Sequence, residues 1–238
     1  MTGDMSSDKA GCLVRLYRDA LEFLEGNAQA QTDIERARML TPESRSDKDF
    51  MREYAWTVFA SGISGTTNKK KQPALTAAFC DWDPALIVRD AEACRFAALE
   101  VVNNESKVDA VLNAAHWVDG QGWKQIHLRL LEGMLTTMEE NRFPGDACWA
   151  FLKRAREQRH LMWIQATNRR YLLKNLGFDL AKDDRQLRRQ AKAFNYSEDG
   201  IGVQSMCEDI SHLVKERVSV VDTVLWNSLS SGYSVRCC

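Results

Sequence analysis

The chain has no C-x-x-C pair, although it carries seven cysteines. The number is odd. Cys12, Cys80, Cys94, Cys148 and Cys207 are scattered, mostly within apolar helical text, and Cys237 and Cys238 are adjacent at the end. Neither a zinc site nor an iron–sulfur cluster finds a ligand set in that pattern, and most of these thiols read as small buried hydrophobes. His116, His127, His160 and His212 fall on separate segments without metal-ligand spacing, so neither a metal nor a cofactor is expected. No apolar run approaches the roughly 20 residues that span a bilayer. The opening "MTGDMSSDKAG" lacks the charged-then-apolar layout of a secretory signal. A cytoplasmic location is expected. Period-two alternation over five or more residues is missing, which argues against a sheet. There is no fixed-period repeat, no low-complexity tract and no long flexible linker.

What is present is helical periodicity, interrupted by only four prolines. "CLVRLYRDALEFLEG" repeats Leu13, Leu16, Tyr17, Ala20, Leu21 and Leu24 at helical spacing before a Gly stop. "DFMREYAWTVFASGISG" begins at an Asp cap and runs apolar to Ile63. Further helices read at about 73–80, 84–90, 91–102, 105–118, 124–140, 146–158, 163–176, 184–195, 203–216 and 219–229. The fold class is therefore all-α, with about ten to twelve helices. A chain of 238 residues, 45% hydrophobic and 27% charged, suits one large domain or one fold of two tightly joined lobes. "LTPESRSDKD", "SGTTNKKKQP" and "YSEDGIG" read as its flexible points.

The net charge of −1 predicts no polyanion partner, but its distribution does. Residues 153–192 hold 12 Lys and Arg against 4 Asp and Glu, a local excess of 12 − 4 = +8. Such a segment is the footprint expected for a phosphate backbone. Within it, "LLKNLGFDLAKDDRQLRRQAKAF" keeps two adjacent acids, Asp183 and Asp184, at the start of a helix. One reading is a solvated helix start, since an acid there complements the helix dipole. The other is a carboxylate that works beside a bound polyanion.

Three patterns occur in order. "WTVFASGISGTTNKKKQPALTAAF" ends an apolar helix in small hydroxylated residues and a lysine triplet. Thr66, Asn68 and Lys69 there offer phosphate partners, or form a solvated loop. "ALEVVNNESKVDAVLNAAHWV" places Asn104 before Lys107 at a helix start. "LMWIQATNRRYLLKNLGFDLAKDDRQLRRQAKAF" reads as helix, Gly177 stop, acid, helix. In this sequence the three resemble the helix-hairpin-helix DNA glycosylase superfamily over about 50–195. Asp184, followed by Leu187, Arg189, Ala191 and Phe194, fits the register of that family's catalytic acid better than Asp183 does.

The resemblance implies a two-lobed helical fold with a DNA-binding cleft between the lobes. One lobe would span about 50–177 and the other about 10–48 plus 182–238. It implies a DNA glycosylase that flips a damaged or modified base out of duplex DNA and hydrolyses its N-glycosidic bond with Asp184, acting as a monomer. DNA contacts would come from Thr66, Asn68, Lys69, Lys107, Thr167, Asn168, Arg169, Arg170, Lys174, Lys182 and Arg185, with Arg188 on the same helix. Trp56, Trp117, Trp123 and Trp163 are the candidates for a base pocket, or for core.

Departures from the family pattern carry expectations too. Trp163 and Gln165 stand where the hairpin often has Gly, so a reshaped turn is expected. Thr167 or Asn168 falls nearest the lysine that forms a Schiff base in bifunctional members, which implies base removal without strand cleavage, with Lys107 and Lys174 as the lysines to check. A shorter probe, about Thr66, replaces the residue that fills the hole in the duplex. Extra residues between about 119 and 160 would shape the pocket. Asp222, in "SVVDTVLWN", is closer to the family's Val-Asp-Thr text, but no hairpin precedes it and no basic helix follows. It reads as a packing or capping element. The base itself stays open: alkylated, oxidised, deaminated, or a hypermodified base of viral DNA, in repair or in defence. Two other classes also remain, a catalytically inactive DNA-binding module of the same fold and an all-α protein-interaction domain.

Overall fold

The computed structural model describes residues 7–139 and 144–234, excepting the side chains at 65, 133–139, 144–149, 166 and 167. Helices and 3₁₀ turns account for the regular structure of the described residues, and no strand occurs among them. In chain order the helices are α1 (Ser7–Phe23), α2 (Ala28–Met39), α3 (Asp47–Ala60), α4 (Gly65–Ala78), α5 (Pro84–Arg89), α6 (Ala91–Val101), α7 (Glu105–Glu139), α8 (Pro144–Glu157), α9 (Ala166–Asn175), α10 (Arg185–Ala193), α11 (Gly200–Val214) and α12 (Val218–Ser230). The chain divides into two compact units, one of residues 1–40 and 177–238, the other of 41–176.

The first unit closes over aliphatic side chains. α1 turns Leu13, Leu16, Tyr17 and Ala20 inward at i, i+3, i+4, i+7 spacing. They meet Ile34 of α2, Leu187 of α10, Met206 of α11 and Val221 and Val224 of α12. Each of the buried Leu, Ile, Met and Val side chains contributes roughly 1.5–3 kcal/mol. Arg217 ties the two ends of this split unit together, donating to the carbonyls of Leu40 (2.5 Å) and Gly177 (3.1 Å).

The second unit is built on aromatics. Phe50 of α3 packs against Tyr54, Trp117 and Trp123, and Phe59, Phe79 and Trp82 form a second stack. α7 is broken at Gly122, whose φ of +73° interrupts the helical hydrogen bonds. Asp47 of α3 caps the new start by accepting from the Trp123 N–H.

Three local expectations are corrected. α2, "AQAQTDIERARM", buries only Ala30 and Ile34, a stripe too thin for the apolar pattern to reveal. "SGTTNKKKQP" is not a flexible point: Ser64 caps α4, which runs through it despite Pro73. "LTPESRSDKD" is also ordered, as a 3₁₀ turn over Pro42–Ser44 and a capping box in which Ser46 and Asp49 bond reciprocally.

Candidate catalytic carboxylate and nucleic-acid interface

α9 stops at Gly177, whose φ of +97° is the left-handed conformation that glycine adopts most easily. The connection from 177 to 184 then runs without regular structure, and its backbone polar groups need partners. α11 and α12 supply them. The Ala181 N–H donates to Gln204 Oε1 (2.7 Å) and the Lys182 N–H to Asp222 Oδ1 (2.7 Å), both acceptors belonging to buried residues. Asp179 Oδ1 accepts from the Ser219 N–H (2.9 Å) and hydroxyl (2.8 Å). Asp179, Ala181 and Lys182 are thus pinned from behind.

That clamp delivers the acid pair to the start of α10 in two different states. Asp183, 10% exposed, accepts two bonds from Arg188, at 2.5 and 2.6 Å. It is a structural counter-ion. Asp184 is the N-cap: Oδ1 accepts from the Gln186 N–H at 2.8 Å, and Oδ2 lies 3.5 Å from the Lys182 ammonium. Its side chain keeps 23% exposure. The ammonium also sits 4.6 Å from the centre of the Trp226 ring. The result is a fixed carboxylate at the positive end of a helix, partly open to solvent and bordered by a cation.

In the second unit, the hairpin between α8 and α9 keeps a left-handed residue at Trp163 (φ +70°) without a glycine. The conformation costs about 1–2 kcal/mol for a side-chain-bearing residue. The surroundings hold it. Asn168 Nδ2 donates to the Trp163 carbonyl (2.8 Å), Asn168 Oδ1 accepts from the Gln165 N–H (2.7 Å), and Tyr54 donates to the Met162 carbonyl (2.6 Å). The Lys107 ammonium stands 5.3 Å from the centre of the Trp163 ring.

Several residues expected at DNA are turned inward. Asn68 is fully buried and donates to the Trp56 carbonyl, 3.4 Å away. Lys107 is buried and caps the C-terminus of α3 through the carbonyls of Phe59 (3.3 Å) and Ser61 (2.5 Å). Burial, and then the charge of Lys71, push its amine below the usual lysine range. Arg170 is 4% exposed, and Asn168 is spent on the hairpin. None of these four is free to meet a phosphate. Arg169 and Lys174 are half-buried and engaged within the fold. The Thr167 side chain lies outside the described residues. Thr66, Lys69 and Arg185 are exposed, the first two on the first turns of α4 and the last beside Asp184.

The four tryptophans also divide. Trp123 is core, its indole donating to the Pro42 carbonyl at 3.0 Å. Trp117 is buried, stacks on His160, and borders a cavity of about 390 Å³ with Gln121, Arg129, Phe151 and Arg154. Trp56 and Trp163 are half-buried. Sequence reasoning missed Gln204, Ser219, Arg217 and Trp226, whose partners lie 23 or more positions away in the chain, with the Lys182–Trp226 pair the same in kind. Among the described residues no group of three His, Cys, Asp or Glu is placed to hold a metal ion, and no helix is long and apolar enough to cross a membrane.

This arrangement of helices is a fold shared with solved DNA glycosylase structures. Two solved structures follow nearly the whole chain. One is the 8-oxoguanine DNA glycosylase of Methanocaldococcus jannaschii, with TM-score 0.55 and 15% identity over 93% of this chain and 96% of that one. The other is the 8-oxoguanine DNA glycosylase of Thermotoga maritima, with TM-score 0.56 and 15% identity over 94% of this chain and all (100%) of that one. No protein-family model matches the sequence, and no curated protein matches it either.

Proposed function

We propose that the protein is a DNA N-glycosylase in which Asp184 is the catalytic carboxylate. The observation that carries this reading is the placement of Asp184, a clamped, partly exposed helix cap in a chain that follows glycosylase structures over nearly its whole length. Breaking an N-glycosidic bond develops positive charge on the sugar, and a fixed carboxylate opposite that charge stabilises it without reorganising. The same oxygen can orient the attacking water and take its proton. The products are the free base and an abasic site. Because the reacting carbon is out of reach inside a duplex, the nucleotide must leave the stack first. Thr66, Lys69 and Arg185 are the exposed candidates for holding its backbone.

The hairpin offers Thr167 and Asn168 where a Schiff-base lysine would stand, which supports simple hydrolysis. The same feature favours a second reading, a module that binds DNA and leaves the base in place. The substrate panel starts with 8-oxoguanine, because both structural neighbours are named for it. It continues through alkylated, deaminated and hypermodified bases.

The test is single-turnover reaction of wild type and Asp184→Asn with end-labelled duplexes, each split between hot alkali, no treatment and borohydride. Asparagine also caps a helix, so the variant should fold normally. The expected result is alkali-dependent cleavage by wild type and a rate lower by about 100-fold or more in the variant. Borohydride trapping lost in Lys182→Ala would replace hydrolysis with amine chemistry. Binding by both proteins, with no base released from any duplex, would establish the second reading.

A further inference from the structure

We propose that Cys80 and Cys94 form a redox-active pair that closes to a disulfide when the folded protein meets a peroxide. The inference is independent of the glycosylase reading. Their sulfur atoms lie 3.7 Å apart, in contact, although both are free thiols. Bond formation brings them from that contact to about 2.05 Å. The pair joins two elements, since Cys80 follows the end of α4 and Cys94 is on α6.

The backbone that brings Cys80 there is unusual. Cys80, Asp81 and Trp82 have φ of +49°, +54° and +63°, three consecutive side-chain-bearing residues in the left-handed region. Left-handed residues ordinarily occur singly, so this turn persists only because its neighbours enforce it. Trp82 does much of that: it is buried, it stacks on Phe79 at 5.3 Å, and its indole donates to the Thr76 hydroxyl at 3.0 Å. The turn therefore presents Cys80 to Cys94 from a fixed position, and the two meet without any loop having to close.

The two thiols are not equivalent. Cys94 is 2% exposed, whereas Cys80 is half-buried and reachable. Burial and then the neighbouring Cys80 sulfur push the Cys94 thiol up to about 12. Cys80, the accessible sulfur, is accordingly the one that meets the oxidant, and Cys94 the one that resolves. Thiolate attack by Cys80 on a peroxide oxygen breaks the O–O bond, giving the sulfenic acid and hydroxide. The Cys94 sulfur then attacks the Cys80 sulfur, its proton joining the departing oxygen as water. In sum two thiols and one hydrogen peroxide give one disulfide and two waters. The peroxide is reduced and the two sulfurs are oxidised.

Trypsin makes the outcome directly legible. Cutting after Lys71, Arg89 and Arg95 puts Cys80 in peptide 72–89 and Cys94 in peptide 90–95. Full-length native protein is reduced, freed of reductant, treated with hydrogen peroxide, blocked with N-ethylmaleimide and mapped by mass spectrometry. The expected product is the 72–89/90–95 linked peptide, about 2 Da lighter than the sum of the two and abolished by reductant. Cys94→Ser should leave Cys80 as a sulfenic acid that dimedone captures, and Cys80→Ser should leave Cys94 unoxidised. The same treatment in denaturing urea should scatter linkage among the seven cysteines. The proposal is overturned if native wild type yields both peptides maleimide-blocked, or yields Cys80 about 32 Da heavier as a sulfinic acid with no linked peptide. The wild-type map decides the matter even if a serine variant fails to fold.

Discussion

The two neighbouring acids that open α10 do different work, and the difference is set by one hydrogen-bond partner each. Asp183 is closed off by Arg188, while Asp184 accepts from the Gln186 N–H, stays partly exposed and has the Lys182 ammonium 3.5 Å from its other oxygen. Asp183→Asn should therefore cost about 1–2 kcal/mol in urea unfolding by stranding a half-buried guanidinium, with the chemical step scarcely altered. Asp184→Asn should do the reverse. A double dissociation of this kind, read from unfolding curves and single-turnover rates on the same preparations, separates a working carboxylate from a cap. A second residue-scale consequence concerns Lys107. Its amine is depressed by burial and by Lys71, so the unfolded chain binds the proton more tightly than the folded one does. Stability should then rise with pH between the folded value and the ordinary 10.5. Measured as wild type minus Lys107→Met, to cancel other titrating groups, the unfolding free energy should increase as the pH rises towards the ordinary lysine value of 10.5. A flat difference would mean that Lys107 reaches water.

At the scale of elements, α11 and α12 act as a backing plate for the connection before α10. The plate's own seating depends on Gly202. A Cβ there would stand 1.9 Å from the Ser197 carbonyl oxygen, a backbone atom that cannot rotate away. Gly202→Ala should destabilise the first unit by about 2–3 kcal/mol or more, visible as a lower urea midpoint, whereas Gly11→Ala, with nothing near its Cβ, should not. The helix–stop–acid–helix passage was legible in the sequence because each of its signals is local: Gln165 and Asn168 around the α9 start, Gly177 at its end, Asp184 at the next cap. Asn68 and Lys107 misled for a related reason. A polar residue in a lysine- and hydroxyl-rich stretch, or a lysine at a helix start, suggests a phosphate partner, but which way Asn68 and Lys107 face was decided by α3 packing alongside. The clamp itself was illegible, since Asp222 and Ser219 meet partners 40 positions away and nothing in the local pattern encodes such a pairing.

For the whole molecule, the fold is shared with two solved structures at 15% identity, so the side chains it displays are largely its own. What that scaffold presents to a polyanion is then a question of which cations still face outward. Lys69 and Arg185 do, and Lys107 and Arg170 do not. Counterion release turns this into a measurable slope, because each phosphate neutralised adds about 0.9 to the steepness of log K against log salt. Lys69→Ala and Arg185→Ala should each lower the slope for duplex DNA by about 1, at unchanged stability. Asn68→Ala should leave the slope alone and lower stability by about 1–3 kcal/mol, since the Trp56 carbonyl and a packed side-chain volume are both left unfilled. If instead Asn68→Ala flattens the salt dependence while Lys69→Ala does not, α4 meets DNA through a different face from the one described. If neither charge variant moves the slope, the basic segment is a solvated surface, and the protein binds no duplex through these residues.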